Sequence, residues 1–559
     1  MSYIIGIDVG GTNTNAALLF NGKVIGTAKV PTNHADLLAG MSEALIAISK
    51  YLPSQTQPAI ELHLSTTLTT NAIIEGRGMA AAALASPGPG MNITDIQIPF
   101  PVHLLTGSID HRGRETAALD LEEIRKILQR LESEGIQSLA VVGKFSPRNP
   151  AHELQIERLI AGEFPGFSAV TLGHRLSGRL NFPRRIITSY LNAKVVGIQR
   201  EFARAIAGLM ESFQLKGEVF LLKADGGTFR MEEAVSRPVE TILSGPAASV
   251  MGALSLMEPG LTDAVAMDIG GTTTEISVLV KEGPLYEREG AVIAGYKTVV
   301  PALFSRSVGL GGDSKVFFRN GSLKIGPQRE GPAAALGGPA LTPTDALVAL
   351  GELHLGDRDR AMAVLERTAG PEGISSRQLA ENIIKAFCSQ AIQGIKEVLG
   401  YLNALPVYTV SEVLAPKNLR PRKIVGMGGP AGFFIPLIAA QMGMDFEILP
   451  YHESANAIGA AASRQTMAIT FRADTALGKM VVPEMDYVAE IPHPALFGIK
   501  QAREAAVTKA ETFSRGVYQT APAIEITEEE AFNMVRGFRT VGKLFTLKAQ
   551  VRPGVERVH

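Results

Sequence analysis

One motif occurs twice in this chain and constrains its architecture more than any other feature. Ile4-Ile5-Gly6-Ile7-Asp8-Val9-Gly10-Gly11-Thr12-Asn13-Thr14 returns as Val265-Ala266-Met267-Asp268-Ile269-Gly270-Gly271-Thr272-Thr273-Thr274. In each copy an apolar run carries one acid to its end. Gly-Gly-Thr-x-Thr then turns the chain into a second apolar run, Ala16 to Phe20 or Ile276 to Val280. The pattern predicts strand, glycine turn, strand, used twice. Two copies 260 positions apart imply two similar half-molecules facing a common cleft. Elsewhere short β-branched runs (Leu139 to Val142, Val219 to Leu222, Lys423 to Val425) alternate with helical patterns such as Leu121 to Glu134 and Arg184 to Phe213, which indicates an α/β chain. The long pattern from Arg184 to Phe213 is expected to join the two lobes.

Paired glycines let backbone N–H groups converge on an anion, and threonine hydroxyls add donors to the same concavity. Phosphate oxygens are the natural guest. An acid beside each loop repels phosphate unless a cation lies between, and neither loop carries the lysine of a Walker-type loop. A hard divalent cation, Mg²⁺, resolves that conflict, with Asp8 and Asp268 as its ligands directly or through water. Gly10, Gly11, Thr12, Asn13 and Thr14, with Gly270, Gly271, Thr272 and Thr273, are then the candidate phosphate contacts. A third segment, Arg422 to Gly432, reads as a strand entering a glycine turn and then a helix through Met442. Gly428, Gly429, Pro430, Ala431 and Gly432 are expected to hold a nucleoside. Gly426-x-Gly428-x-x-Ala431 with Glu447 also matches a dinucleotide fingerprint. ATP accounts for all three segments, whereas a dinucleotide leaves both aspartate loops unused.

Composition sets the outer limits. A chain of 559 residues, 46% hydrophobic and 19% charged, supports several cores. A net charge of −1 removes the electrostatic argument for nucleic acid or an anionic membrane surface. The single Cys388 cannot form an internal disulfide and is expected to be a small buried apolar residue. The N-terminus lacks the pattern of a secretory leader and no apolar run is long enough for a spanning helix, so a cytoplasmic protein is expected.

The same motifs, in this order, resemble the actin, sugar kinase and heat-shock ATPase superfamily. More closely the chain resembles the hydantoinase/5-oxoprolinase family, in its ATP-binding hydantoinase A-type subunit. The match runs through Asp8 to Thr12, Ser65 to Ala72, Asn149 to Glu153, Leu243 to Ala248, Asp268 to Thr272, Gly309 to Ser314, Thr344 to Ala346 and Gly428 to Gly432. The match covers the chain to about Ser463; Leu64-Ser65-Thr66-Thr67 stands where many members read His-Gly-Thr-Thr, and Glu275 where an Asp often follows the second loop. The chain is shorter than typical members, and Thr466 to His559 shows no match. The resemblance implies two actin-like (ribonuclease H-like) lobes around an ATP cleft; a small C-terminal α+β region is expected beyond them. The expected division is 1–190 with an inserted subdomain, 191–465, and 466–559.

The activity the resemblance implies is ATP-driven opening of a cyclic amide, with a hydantoinase B-type partner subunit and an oligomeric assembly. Asp8 and Asp268 orient the metal and the attacking group in that reading. Substrate contacts are expected from Thr66, Thr67 and Asn71, and from Gly311, Gly312, Asp313 and Ser314. A small-molecule kinase, an acetone-carboxylase-like subunit and an ATP-driven protein switch are the alternatives. Several other features read as structural. Asn149-Pro150 looks like a helix start that leaves His152 and Glu153 structural, and Thr344-Asp345 like a cap. His103 and His111 are expected in a surface loop, Glu528 to Glu530 in a solvated helical turn, and Gly331 to Pro343 in a lobe-edge loop.

Overall fold

Each copy of the repeat builds the centre of a sheet. In the computed structural model, which describes residues 3–33, 36–53, 59–88, 90, 98–258, 260, 263–281, 283–406, 418–515 and 522–559, the strand Tyr3–Val9 pairs antiparallel with Asn13–Phe20 and parallel with Ile60–Thr66. The strand Ala264–Ile269 pairs antiparallel with Thr274–Val280 and parallel with Lys423–Met427. The registers match: Asp8 faces Asn15 across the first hairpin, and Asp268 faces Glu275 across the second. The first sheet continues to Lys23–Pro31 on one side and Val219–Leu222 on the other, and the second to Ser305–Val308 and Asp445–Ile448. Strand order and direction are therefore the same in both lobes. The antiparallel neighbour of Ala264–Ile269 separates the second sheet from an all-parallel dinucleotide fold.

Two small-residue helices fill the space between the sheets. Ser244–Leu256 and Ala455–Ala462 cross so closely that a methyl on Gly459 would lie 2.2 Å from the Ala248 carbonyl and 2.4 Å from the Gly252 nitrogen. Their alanines join Ala17 and Leu222 of the first sheet to Ala266 and Val425 of the second in one buried cluster. Bulky residues here would push the lobes apart, which accounts for the Ala/Gly composition of both helices.

The chain path differs from the sequence expectation in four places. Strands Val219–Leu222 and Thr228–Arg230 complete the first sheet, so the chain is still building that lobe after residue 190. The long helix, Phe182–Ser212, packs Ile186 and Ala193 on a separate parallel sheet (Ala81–Ser86, Val102–Leu104, Ser138–Gly143, Ala169–Leu172) and Phe202, Ile206 and Met210 on the first sheet. It joins the inserted subdomain to the first lobe rather than one lobe to the other. Glu528 to Glu530 lie in the strand Glu525–Arg536, where the antiparallel partner Arg539–Gln550 sets Lys548 across from Glu528. The acidic run masked the alternation on which a strand reading depends. Gly331 to Pro343 is no edge loop: Ala333, Ala334 and Ala335 are buried, and Asp345 accepts the backbone N–H groups of Ala334 and Ala335.

Caps differ by a residue or two from those expected. The helix Pro343–Leu350 is capped by Thr342 in a capping box with Asp345, which frees the Thr344 hydroxyl to bond the Gly312 carbonyl (2.8 Å). The helix Ala151–Glu163 starts after Pro150, and Asn149 still accepts the Ala151 N–H. His103 lies on the strand Val102–Leu104, bonded to Arg130, and His111 is exposed in a turn. Cys388 is fully buried in the second-lobe core. No helix among the described residues is long and apolar enough to cross a membrane.

The C-terminal region is α+β, with the helix Ile499–Ser514 laying Ala502, Ala506 and Ala510 on a five-stranded antiparallel sheet. It docks on the inserted subdomain through ion pairs. Arg112 meets Asp474, and the buried His174 ring bridges Glu153 and Asp486. Glu153, one of the residues expected to be structural, also holds the Gly143 N–H (2.7 Å).

Burial opposes a charge on His174, but the Glu153 carboxylate and the bond to Asp486 outweigh it and raise its pKa to about 9. A raised folded-state pKa stabilises fully below the unfolded value and is lost as pH rises through the folded one. The thermal midpoint is therefore expected to fall between about pH 6.5 and 9, by at most about 3 kcal/mol of stability. His174→Gln should flatten that slope, measured by thermal melts across the range; an unchanged slope would discount the bridge.

Candidate functional site

The site forms where the two glycine turns meet. Both turns close with the same bond, Gly10 N–H to the Asn13 carbonyl (3.1 Å) and Gly270 N–H to the Thr273 carbonyl (2.9 Å). None of the four loop glycines has a positive φ; the need is for space. A methyl on Gly271 would lie 2.8 Å from the Thr12 hydroxyl and 2.9 Å from an Asp313 oxygen, so the turns face each other. The Thr12 hydroxyl is buried and finds no hydrogen-bond partner among the described residues.

Asp8 is buried and Asp268 partly exposed, and one amide joins them. Asn456, at the start of the helix between the lobes, donates to Asp268 (3.0 Å) and at 3.5 Å to Asp8. Burial raises the Asp8 pKa to about 6; the Ser65 hydroxyl opposes the shift, the Asp268 charge adds to it, and the Asn456 amide again opposes it. Burial likewise pushes Asp268 above the usual carboxylate range, against the Ser249 hydroxyl, the Asn456 amide and the Lys29 charge. Ser249 donates to Asp268 at 2.7 Å. Two carboxylates sharing one amide beside an unpartnered hydroxyl make a hard-oxygen set that suits a divalent cation. Among the described residues no cluster of three or more His, Cys, Asp or Glu side chains is placed to hold a metal, so such an ion needs ligand oxygens to complete its shell.

The second loop rests on two other segments. Gly312 and Asp313 donate their N–H groups to the Gly270 and Gly271 carbonyls (2.9 and 2.7 Å), and the Ser314 hydroxyl reaches the Gly311 N–H (2.8 Å). The stretch 311–314 therefore lies against the loop through its backbone, with Asp313 paired to Arg329 (3.4 Å). Gly428 follows the strand beside Asp268 with φ +92, and a methyl there would lie 2.2 Å from the Ile269 carbonyl. A methyl on Gly312 would lie 2.9 Å from Pro430, and Ala431 opens the helix Ala431–Met442 that carries Gly432. Glu447, the acid of the dinucleotide reading, is ion-paired to Lys423.

The first loop is braced differently. Thr32 donates its hydroxyl to the Gly10 carbonyl (2.8 Å), and its N–H to the Thr12 carbonyl (3.0 Å), while Thr14 is fully buried against it. Thr66 ends the strand beside Val9, and Thr67 starts the helix Leu68–Ile74 with Asn71 bonded to it (3.2 Å). The Ser244 hydroxyl donates to the Thr66 carbonyl (2.9 Å), bringing Leu243 to Ala248 alongside. These segments share one rim, the carboxyl ends of the first-sheet strands, where open α/β sheets bind ligands.

Four residues at the site were given no role by the sequence, although Ser65 lies in the matching segment from Ser65 to Ala72. Asn456, Ser249 and Ser65 act on the aspartates, and Lys29, paired with Glu453 (3.1 Å), lies near Gly429. Ser65 stands where the family often has glycine.

Two lobes of one topology clasping paired Asp-x-Gly-Gly-Thr turns define the class as an actin-like fold. Within it the chain belongs to the hydantoinase/oxoprolinase family: the Hydantoinase/oxoprolinase model matches residues 185–469, and the Hydantoinase/oxoprolinase N-terminal region model residues 4–164. Among relatives, the caprolactamase subunit alpha of Pseudomonas jessenii is 25% identical over 490 residues, covering 80% of this chain and 68% of its own. The acetophenone carboxylase gamma subunit of Aromatoleum aromaticum is 28% identical, covering 67% of this chain and 58% of its own. The 5-oxoprolinase of Saccharomyces cerevisiae is 28% identical over 63% of this chain, which spans 28% of that longer protein. The crystal structure of ATP-dependent caprolactamase from Pseudomonas jessenii shares the fold with a TM-score of 0.71 at 20% identity, over 98% of this chain and 87% of that one. Nucleotide-free acetone carboxylase gives 0.69 at 15% identity, over 99% and 88%.

Proposed function

We propose that the chain is the ATP-using subunit of an enzyme that opens cyclic amides of the hydantoin, lactam or 5-oxoproline type. The observation that carries this reading is the pair of matched turns facing each other with Asp8 and Asp268 joined through Asn456. Caprolactamase and 5-oxoprolinase among the relatives supply the reaction class. Gly10 to Thr14 and Gly270 to Thr273 are assigned to the phosphates, and Gly428 to Gly432 to the nucleoside. Asp8 and Asp268 are assigned to Mg²⁺, whose charge would offset the phosphates in place of a loop lysine.

An amide resists water because resonance feeds its carbonyl. Transfer of the γ-phosphoryl group to the amide oxygen, with ADP leaving, activates that carbon; water adds to it, the carbon–nitrogen bond breaks to open the ring as an amino acyl phosphate, and a second water releases phosphate. The protein's part is to align the oxygen with the phosphorus and to neutralise charge. Thr66, Thr67 and Asn71 on the first-sheet rim, and Gly311 to Ser314 across from it, are proposed to position the ring. A B-type partner chain is proposed because the caprolactamase and acetophenone carboxylase relatives are named as subunits.

The test is a panel of lactams and hydantoins with purified protein, alone and with its partner, measuring ATP loss and ring opening together. Coupled loss of both supports the reading. ATP loss without any ring opening counts against it. The acetophenone carboxylase relative makes ketone carboxylation the second reading, which bicarbonate-dependent turnover of a ketone would establish.

A further inference from the structure

Away from the paired turns, a cavity of about 340 Å³ lies where the inserted subdomain, the first lobe and the C-terminal sheet meet. That is within the range of ligand sites, about 300–1,000 Å³. Several cations line it, and most have local partners. Lys223 pairs with Asp225 (3.2 Å) and Glu240 (3.9 Å), and Arg237 with Glu233 (2.8 Å) and Glu240 (3.3 Å). Arg179 and Lys548 share Glu528 (3.8 and 3.6 Å).

Arg148 and Arg472 are different. Neither has a carboxylate within ion-pair distance among the described residues, and the Nε–H of each is buried without an acceptor. Arg148 donates to the His111 carbonyl; Arg472 donates to the Gly178 carbonyl (3.0 Å) and weakly to the Thr546 hydroxyl (3.4 Å). Burial lowers the pKa of both, and the charge of Arg148 lowers Arg472 further, to about 10. The charges of Asp474 and Asp110 act on Arg148 without pairing with it, and Glu484, in the cavity wall, acts on Arg472 but already accepts the Gly178 and Thr470 N–H groups (3.1 and 3.0 Å). Glu530 acts on Arg472 from an exposed strand position.

Two guanidiniums that repel each other, with donors left over in a cavity, lack an anion that forks between them. Beside the paired charges, the wall carries Val300, Met467 and Leu544, which suit an aliphatic body. We propose that this cavity binds a small aliphatic carboxylate, its oxygens on Arg148 and Arg472 and its chain against Val300, Met467 and Leu544. The site joins three parts of the chain, so occupancy ties the C-terminal sheet to the first lobe. It is independent of the nucleotide reading.

Calorimetric titration and thermal melts of the intact protein with hexanoate, hexylamine and inorganic phosphate test this. Hexanoate should bind saturably and raise the melting midpoint, as any ligand of the native state does. Hexylamine should not. Arg148→Gln and Arg472→Gln should each weaken hexanoate at least tenfold. Without ligand each variant should melt no lower than the parent, because one of two repelling cations is gone. No saturable hexanoate binding up to about 10 mM, or binding undiminished in both variants, would overturn the site. Phosphate bound through the two arginines in place of hexanoate would overturn the carboxylate assignment.

Discussion

Asp268→Ala is expected to abolish ATP hydrolysis while leaving the chain folded. Asp268 ends the central strand of the second lobe at the point where the Asn456 amide and Ser249 hydroxyl converge on one oxygen. Its loss removes half of the carboxylate pair assigned to the metal, so turnover should fall at least about 10³-fold, the scale of a lost transition-state charge contact. Stability should change little. Two donors lose an acceptor, worth about 1–2 kcal/mol, but a partly buried carboxylate whose charge burial disfavours is also removed. Circular dichroism and melting of the variant, beside its ATPase rate, separate the two effects. A folded variant hydrolysing at the parental rate would refute the placement of the metal.

Gly311→Ala should give the second large effect, through the backbone. The added methyl would lie 2.5 Å from the Gly271 carbonyl carbon and oxygen and 2.6 Å from the Thr272 nitrogen. These atoms cannot rotate aside as a side chain can, so the second loop must shift from its partner. Overpacking of this kind costs about 1–3 kcal/mol, and if it falls on the loop the nucleotide dissociation constant should rise about 10- to 100-fold. Gly208→Ala is the control. Gly208 lies in the long helix with nothing within 4 Å of an added methyl, so the change should be neutral or stabilise by up to about 1 kcal/mol. Nucleotide titration of both variants checks the pair; unchanged affinity in Gly311→Ala would show that the 311–314 stretch does not set the loop.

How much of this was legible in the sequence depends on distance along the chain. The two strand-turn-strand units are local, and their apolar runs, acids and glycines sit within a dozen residues of one another. Their pairing registers came out identical. The strand at Lys423–Met427 and the helix after it were read for the same reason. Asn456 was not legible, because it reaches Asp8 across 448 positions and Asp268 across 188. Lys29 arrives from the strand Lys23–Pro31 beyond the first hairpin, and Ser65 from a parallel neighbour of Asp8. Nothing in a single run of residues announces such meetings.

The misread elements share a cause as well. Charge content suggested solvent for Glu528 to Glu530, yet an edge strand can carry acids when its partner strand supplies the apolar face. Small residues suggested an exposed loop for Gly331 to Pro343, yet a buried Asp345 gathers that backbone into the core. The long helix suggested a link between lobes because its length was visible and its two packing faces were not.

The central claim is that ATP activates a cyclic amide at its oxygen. It is tested most directly with a lactam carrying ¹⁸O in its carbonyl, incubated with ATP and the complete enzyme, by the mass of the phosphate released. Phosphorylation of that oxygen, addition of water to the carbon with cleavage of the carbon–nitrogen bond to give an amino acyl phosphate, and attack of a second water on the acyl carbon with cleavage of its carbon–oxygen bond predict labelled phosphate in proportion to ring opened. Ring opening accompanied by unlabelled phosphate would contradict it.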